Sequence, residues 1–271
     1  LYAGGQVRWF DYQADPKLDA ALVNVDLAAL EQFVWQELPL GQLVLPSLRW
    51  SLRRHHLIDD EGTRHLYRQF IRSAWRVAQE FSSFLEQVHP RGVVVFNGVS
   101  FPEATARHIA QRRGLWVVTH EVGLQPFSAF FTRGHATAYP IHIPEDFTLT
   151  PAQESRLNQY LEKRLQGNFS MAGIRFWPEM RSLEPELLQR ISTYKQVVPV
   201  FTNVIFDTSQ IHANVMFENM FAWLDQVLEI IRAHPETFFI IRAHPDEDRP
   251  GKQSRESVAD WVERNQVERL S

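Results

Sequence analysis

Residues 93–119 read VVVFNGVSFPEATARHIAQRRGLWVVT. The apolar run Val93 to Phe96 lies between Gly92 and Asn97-Gly98, which marks a short strand followed by a turn. Pro102 then stands near the first position of a helix over 103–113. Gly114 closes that helix, and Leu115 to Thr119 is a second apolar run. Upstream, Leu66, Phe70, Ala74, Val77, Phe81, Leu85 and Val88 recur at helical spacing, so the pattern predicts a long amphipathic helix over 63–88. Helix, strand, helix, strand in this order implies an α/β fold, with a parallel sheet and crossover helices.

The same alternation returns after residue 196. A strand is expected over 197–202, followed by Asn203 and then Asp207-Thr208-Ser209-Gln210. From Asn214 a helix is expected, with Phe217, Met220, Phe221, Leu224, Val227, Leu228 and Ile231 on its apolar side. Phe238 to Ile241 is the next strand, and Ser254 precedes an apolar rhythm of Val258, Trp261 and Val262 as a helix N-cap. A third strand starts over 267–270. Two separate parallel sheets follow, one in a domain over 1–190 with an irregular start, the other in a domain over 196–271. The polar stretch 165–196 is the expected connection between them. Elsewhere, 18–35 is expected as one helix and 42–45 as a strand. A polar helix is expected from the cap Thr150 and Pro151 to Leu165, and 125–150 reads as a long packed loop, with an acceptor-binding lid as its other reading.

Composition narrows the function classes. The chain has 271 residues, enough for two domains, and 44% of them are hydrophobic. The net charge of −4 gives no basic field for nucleic acid. Cysteine is absent, which removes disulfides, thiolate zinc sites and a cysteine nucleophile, and fits a cytoplasmic setting. No apolar run approaches the ~20 residues of a membrane span. His55-His56 reads as a surface pair rather than a metal site, because adjacent residues do not share a helix face. There is no G-x-G-x-x-G, and Gly251-Lys252 is followed by Gln253, so it is not a P-loop.

Parallel sheets bind ligands beyond the carboxyl ends of their strands. Four strand ends therefore hold the candidates. Asn97 and Gly98 end the first strand, with turn chemistry as their other reading. His120, Glu121 and Gly123 follow the second; an adjacent acid and imidazole suit proton transfer, and equally suit capping. Asn203, Asp207 and Ser209 follow the third. Arg242, His244 and Lys252 follow the fourth, ahead of a helix N-terminus whose free N–H groups attract anions. Residues 242 and 244 share one side of the strand, with Ala243 packed on the other. In the alternative reading of this last loop, Asp246, Glu247, Asp248 and Glu256 neutralise the basic groups, and Arg242 is an ion-pair partner of Asp246 or Asp248.

Two segments, PVFTNVIFDTSQ at 199–210 and FIIRAHPDEDRPGKQSRESV at 239–258, resemble the start of the donor-binding domain of bacterial capsule polysaccharide biosynthesis proteins. That group includes transferases similar to those adding Kdo in capsule export. FNGVSFPEATARHIAQRRG at 96–114 and HEVG at 120–123 resemble acceptor-side loops of the same group. The resemblance implies two Rossmann-like domains in a GT-B-like arrangement, the second incomplete in this chain. It implies a glycosyltransferase that takes a nucleotide-activated sugar as substrate, without a metal or other cofactor. Arg242 and His244 would lie near the donor phosphate or ribose. Asn203, Asp207 and Ser209 would line the cleft, with Glu121 as base on the acceptor side. The implied partners are a glycan acceptor and membrane-bound capsule assembly machinery touched from the cytoplasm, with no nucleic acid. A non-catalytic carbohydrate-binding or assembly protein, and a GT-B-like nucleotide-sugar epimerase, are the alternatives. Residue 1 is Leu, so the chain is expected to be part of something longer.

Overall fold

A computed structural model describes residues 7–123, 125, 127–168, 182–207, 210 and 214–267. The chain forms two compact units, one of Leu1–His120 with Phe131–Ala138, the other of Glu121–Phe130 with Tyr139–Ser271.

The first unit opens with helices α1 (Pro16–Ala21), α2 (Leu27–Glu31), α3 (Leu40–Leu52) and α4 (Glu61–Val88). The single helix expected over 18–35 is broken in two. Asn24 turns the backbone left-handed at φ 58°, and the Asp26 side chain accepts from Ala29 N at 2.8 Å, starting a new helix. The strand expected over 42–45 is a turn of α3, which continues through Pro46. What holds α3 is a close approach to α2: a Cβ on Gly41 would sit 2.2 Å from the Leu30 carbonyl oxygen. Tyr67 of α4 donates its hydroxyl to the Gly41 carbonyl at 3.0 Å. Leu22, Leu30, Leu40, Val44, Leu48, Tyr67 and Ile71 close this core without exposure.

After α4 come β1 (Gly92–Phe96), α5 (Glu103–Arg112) and β2 (Trp116–Val122). β1 and β2 pair in parallel, from Gly92 opposite Trp116 to Phe96 opposite His120. Val95 and Val117 pack with Ala110 of α5 and Phe81 of α4. The alternate side chains face water: Val94, Phe96 and Trp116 are exposed. A short strand β3 (Ala129–Thr132) adds to β2, within the stretch expected as a loop.

The second unit contains α6 (Pro151–Leu165), α7 (Pro185–Ile191), β4 (Gln196–Phe201), α8 (Met220–Ala233), β5 (Thr237–Arg242) and α9 (Val258–Asn265). Thr150 and Gln153 form a reciprocal capping box on α6, as the sequence indicates. β4 and β5 pair in parallel, from Gln196 opposite Thr237 to Phe201 opposite Arg242. Their core includes Val200, Ile205, Leu224, Leu228 and Trp261. α8 begins six residues later than expected, because the Asn219 side chain accepts from Phe221 N and Ala222 N; Val215 and Met216 stay exposed outside it. α9 is capped by Ser257 rather than Ser254. Ser257 pairs reciprocally with Asp260, while the Ser254 hydroxyl donates to the Glu256 carbonyl. Past Val267, the third strand expected over 267–270 falls outside the described residues.

The α/β class and the two separate sheets with parallel pairs therefore hold. No helix among the described residues is long and apolar enough to cross a membrane.

Candidate functional site

The carboxyl ends of β4 and β5 meet side by side, since Phe201 and Arg242 are register partners. Thr202 fixes this end: its N–H and its hydroxyl both donate to the Arg242 carbonyl, at 3.1 and 3.2 Å. From here the chain passes Asn203 toward the start of α8. A cavity of about 420 Å³ opens there, with the rings of Phe201 and Trp223 and the amides of Asn203, Gln210 and Asn214 in its wall. Asn203 is positioned by its backbone N–H, 3.4 Å from Met220 Sδ, and its Oδ1 accepts from Val204 N at 2.8 Å. Asp207 heads a turn in which Gln210 N donates to its carbonyl at 3.0 Å. Ser209 lies outside the described residues.

Arg242 presents its guanidinium to solvent, without an ion-pair partner among the described residues. Of the two carboxylates suggested for it, Asp246 binds Arg249 at 3.3 Å and Lys252 at 3.6 Å, and Asp248 makes no ion pair among the described residues. Lys252 is thus held by a neighbouring acid. His244 Nδ1 accepts from Asp246 N at 3.1 Å, so the neutral ring carries its proton on Nε2. Ala243 is exposed rather than packed.

The N-terminus of α9 is not an open anion cradle. Glu247 is only 2% exposed, and its Oε2 accepts from Val258 N, the first residue of α9, at 3.1 Å. Its backbone is tied as well, by Glu247 N to the His244 carbonyl at 2.9 Å and Ser254 N to the Glu247 carbonyl at 2.8 Å. The protein's own carboxylate occupies the place expected for a phosphate. Burial pushes the Glu247 carboxyl up to about 7; Asp248 and Asp260 push the same way, and the Val258 N–H opposes them.

At the ends of β1 and β2 the candidates serve the backbone first. Asn97 and Gly98 are both left-handed, at φ 58° and 83°. Asn97 Oδ1 accepts from Val99 N at 3.0 Å, and a Cβ on Gly98 would lie 2.8 Å from Thr119 Cγ2. Turn chemistry accounts for both residues. His120 and Glu121 are strand residues of β2, not loop residues, and strand alternation sends their side chains to opposite faces. The His120 ring lies between Phe96 and Phe131, with centroids at 5.3 and 5.4 Å. Glu121 Oε1 accepts from Val122 N at 2.8 Å. Gly123 admits Ser128, whose Oγ would be 2.2 Å from a Cβ there.

Sequence reasoning passed over Arg107. Its Nη1 reaches the Gly98 carbonyl at 3.3 Å and His135 Nδ1 at 3.0 Å, and burial lowers its pKa. A signal existed: Arg107 is three residues from both Ala104 and Ala110, on the packed side of α5. Glu247 was counted only among the neutralising acids, and no periodicity marks its burial. The rings of His55 and His56 meet edge to face at 4.9 Å, and no group of His, Asp or Glu among the described residues is arranged to hold a metal.

No family model, curated protein or solved structure matches this chain.

Proposed function

We propose that the protein is a glycosyltransferase that moves a sugar from a nucleotide-activated donor to a growing capsule or surface polysaccharide. The observation that carries this reading is the end of the β4–β5 pair. An Arg242 with no ion-pair partner among the described residues, a cavity with three aromatic rings and four side-chain amides in its lining, and a parallel strand end stand together there. Rings stack on sugars and bases, amides bond hydroxyls, and a guanidinium grips phosphate. Sugar transfer needs a base for the acceptor hydroxyl and stabilisation of the departing phosphate. In this reading Glu121 supplies the first, and Arg242 with His244 the second. The GT-B-like arrangement, the glycan acceptor and a cytoplasmic position beside the capsule assembly machinery belong to the same proposal. The donor is a substrate, and the reading calls for no metal.

Titration calorimetry of nucleoside mono- and diphosphates into wild type and Arg242→Ala tests it. The variant is expected to bind roughly ten- to a hundredfold more weakly. Equal affinities in a folded variant would sink the donor-site assignment. Glu121→Gln keeps the shape and removes the base, so transfer is expected to slow by about a hundredfold or more. An unchanged rate would remove Glu121 from catalysis.

One observation favours a non-catalytic carbohydrate-binding role. The α9 N-terminus is filled by Glu247, and Lys252 is held by Asp246, which leaves few preformed groups for a leaving phosphate. Glycan binding without donor turnover would select that role, and interconversion of donor sugars without an acceptor would select an epimerase.

A further inference from the structure

We propose that the face of β5 opposite Arg242 is a second binding site, for a small amphipathic anion with a hydrocarbon body and one carboxylate head. It is independent of the sugar site, which uses other residues at the strand ends.

Strand alternation builds this face. Thr237, Phe239, Ile241 and Ala243 are every second residue, and all four border a cavity of about 670 Å³. Val258 and Val262 of α9 form the facing wall. Phe239, Ile241 and Val262 are only partly buried, so the strand and the helix stand apart instead of closing on each other. The volume falls in the range of small-molecule sites, about 300–1,000 Å³.

The lining carries the polar side chains of Thr237, Arg190, Tyr194, His234 and Glu263, and the first two set the ligand's chemistry. Thr237 is 6% exposed and lines the cavity, yet its Oγ1 has no hydrogen-bond partner among the described residues. A buried hydroxyl without a partner is costly, and a ligand oxygen at this end of the cavity relieves the cost. Arg190 also borders the cavity, its guanidinium 5.4 Å from the centre of the Phe238 ring. No carboxylate pairs with Arg190 among the described residues. The other basic group of the rim, His234, is held by Glu236 at 3.3 Å. A cation with no carboxylate partner among the described residues, beside a partly apolar hollow, matches a hydrocarbon that ends in a negative charge.

The test is calorimetric titration of decanoate and of decanol, each below its aggregation threshold, into the whole chain. Decanoate is expected to bind saturably and more tightly than decanol. Arg190→Gln is expected to weaken decanoate about tenfold and leave decanol unchanged. Ala259→Trp, at an exposed position on the rim, is expected to abolish both. Thermal unfolding of each variant confirms that it is folded. Absence of saturable decanoate binding to the wild type would overturn the site, as would full binding to folded Ala259→Trp. Equal affinities for the two probes would overturn the anionic head. Flotation of wild type, but not of Ala259→Trp, with phosphatidylglycerol vesicles would reassign the occupant to a membrane lipid and overturn the free small molecule.

Discussion

In the first unit, α2, α3 and α4 meet so closely that Gly41 has no room for a Cβ, and Leu30, Leu40, Leu48 and Tyr67 are sealed from water. In the second unit, Leu224, Ile205 and Trp261 are just as dry, but this core ends at a hollow of about 670 Å³ beside β5. Both cores are built from similar side chains. The difference is in the partner surfaces: helices interdigitate on all sides, whereas two paired strands give a narrow platform that one helix covers only partly. The void is therefore a property of the architecture, not of the composition.

Core truncation tests this contrast with the largest effect. Leu48→Ala in the sealed core is expected to cost about 4 kcal/mol, and Ile241→Ala beside the hollow about 2 kcal/mol, because the second side chain gives up fewer contacts. Urea unfolding of both variants measures the gap, and equal losses would break the comparison. Next in size is the buried acid. The folded-state pKa of Glu247 is raised from 4.5 to about 7, so the folded protein holds this proton longer than the unfolded chain. Its contribution is whole below about pH 4.5 and is lost as the pH rises through about 7. Gln at this position still accepts from Val258 N and carries no charge. Glu247→Gln is expected to gain up to about 3 kcal/mol at pH 8 and nothing near pH 4. Parallel pH-dependent slopes for the two proteins would refute the assignment. The smallest effect separates two serines three residues apart. Ser257→Ala removes the α9 cap and is expected to cost about 1 kcal/mol, and Ser254→Ala less, by the same unfolding measurement.

Some of this was written in the sequence. β1, β4 and β5 were visible because short apolar runs ended at turn residues or at polar strand ends, and α4 because its apolar spacing persists over seven turns. Other elements depended on contacts between distant residues. Gln42 to Leu45 looks like a strand ahead of Pro46, but Gly41 docks on α2 and the Gln42 amide donates to the Glu31 carbonyl at 2.8 Å, which keeps the segment helical. His120 and Glu121 read as loop residues because they are polar; pairing with β1 makes His120 strand, and β2 runs on through Glu121 to Val122. Ser257 was legible in principle, since Asp260 three residues on completes a capping box, a pattern Ser254 lacks. At the candidate site, Asn203 and Arg242 followed from the rule about strand ends. The occupation of the α9 N-terminus did not, because burial of Glu247 is a matter of tertiary packing.

One consequence concerns light. Trp75 is buried in the first unit and donates its indole N–H to Asp15 at 2.8 Å. Trp261 is buried in the second and donates to Asp225 at 2.8 Å. Each half thus carries its own fluorophore in a dry, hydrogen-bonded setting, whose emission moves to longer wavelength when water reaches it. The chain has eight tryptophans, so Trp261 follows the second half once the other seven are changed to Phe, and Trp75 follows the first in the reciprocal variant. The chain has its own pair of optical gauges for watching one half loosen while the other stays shut.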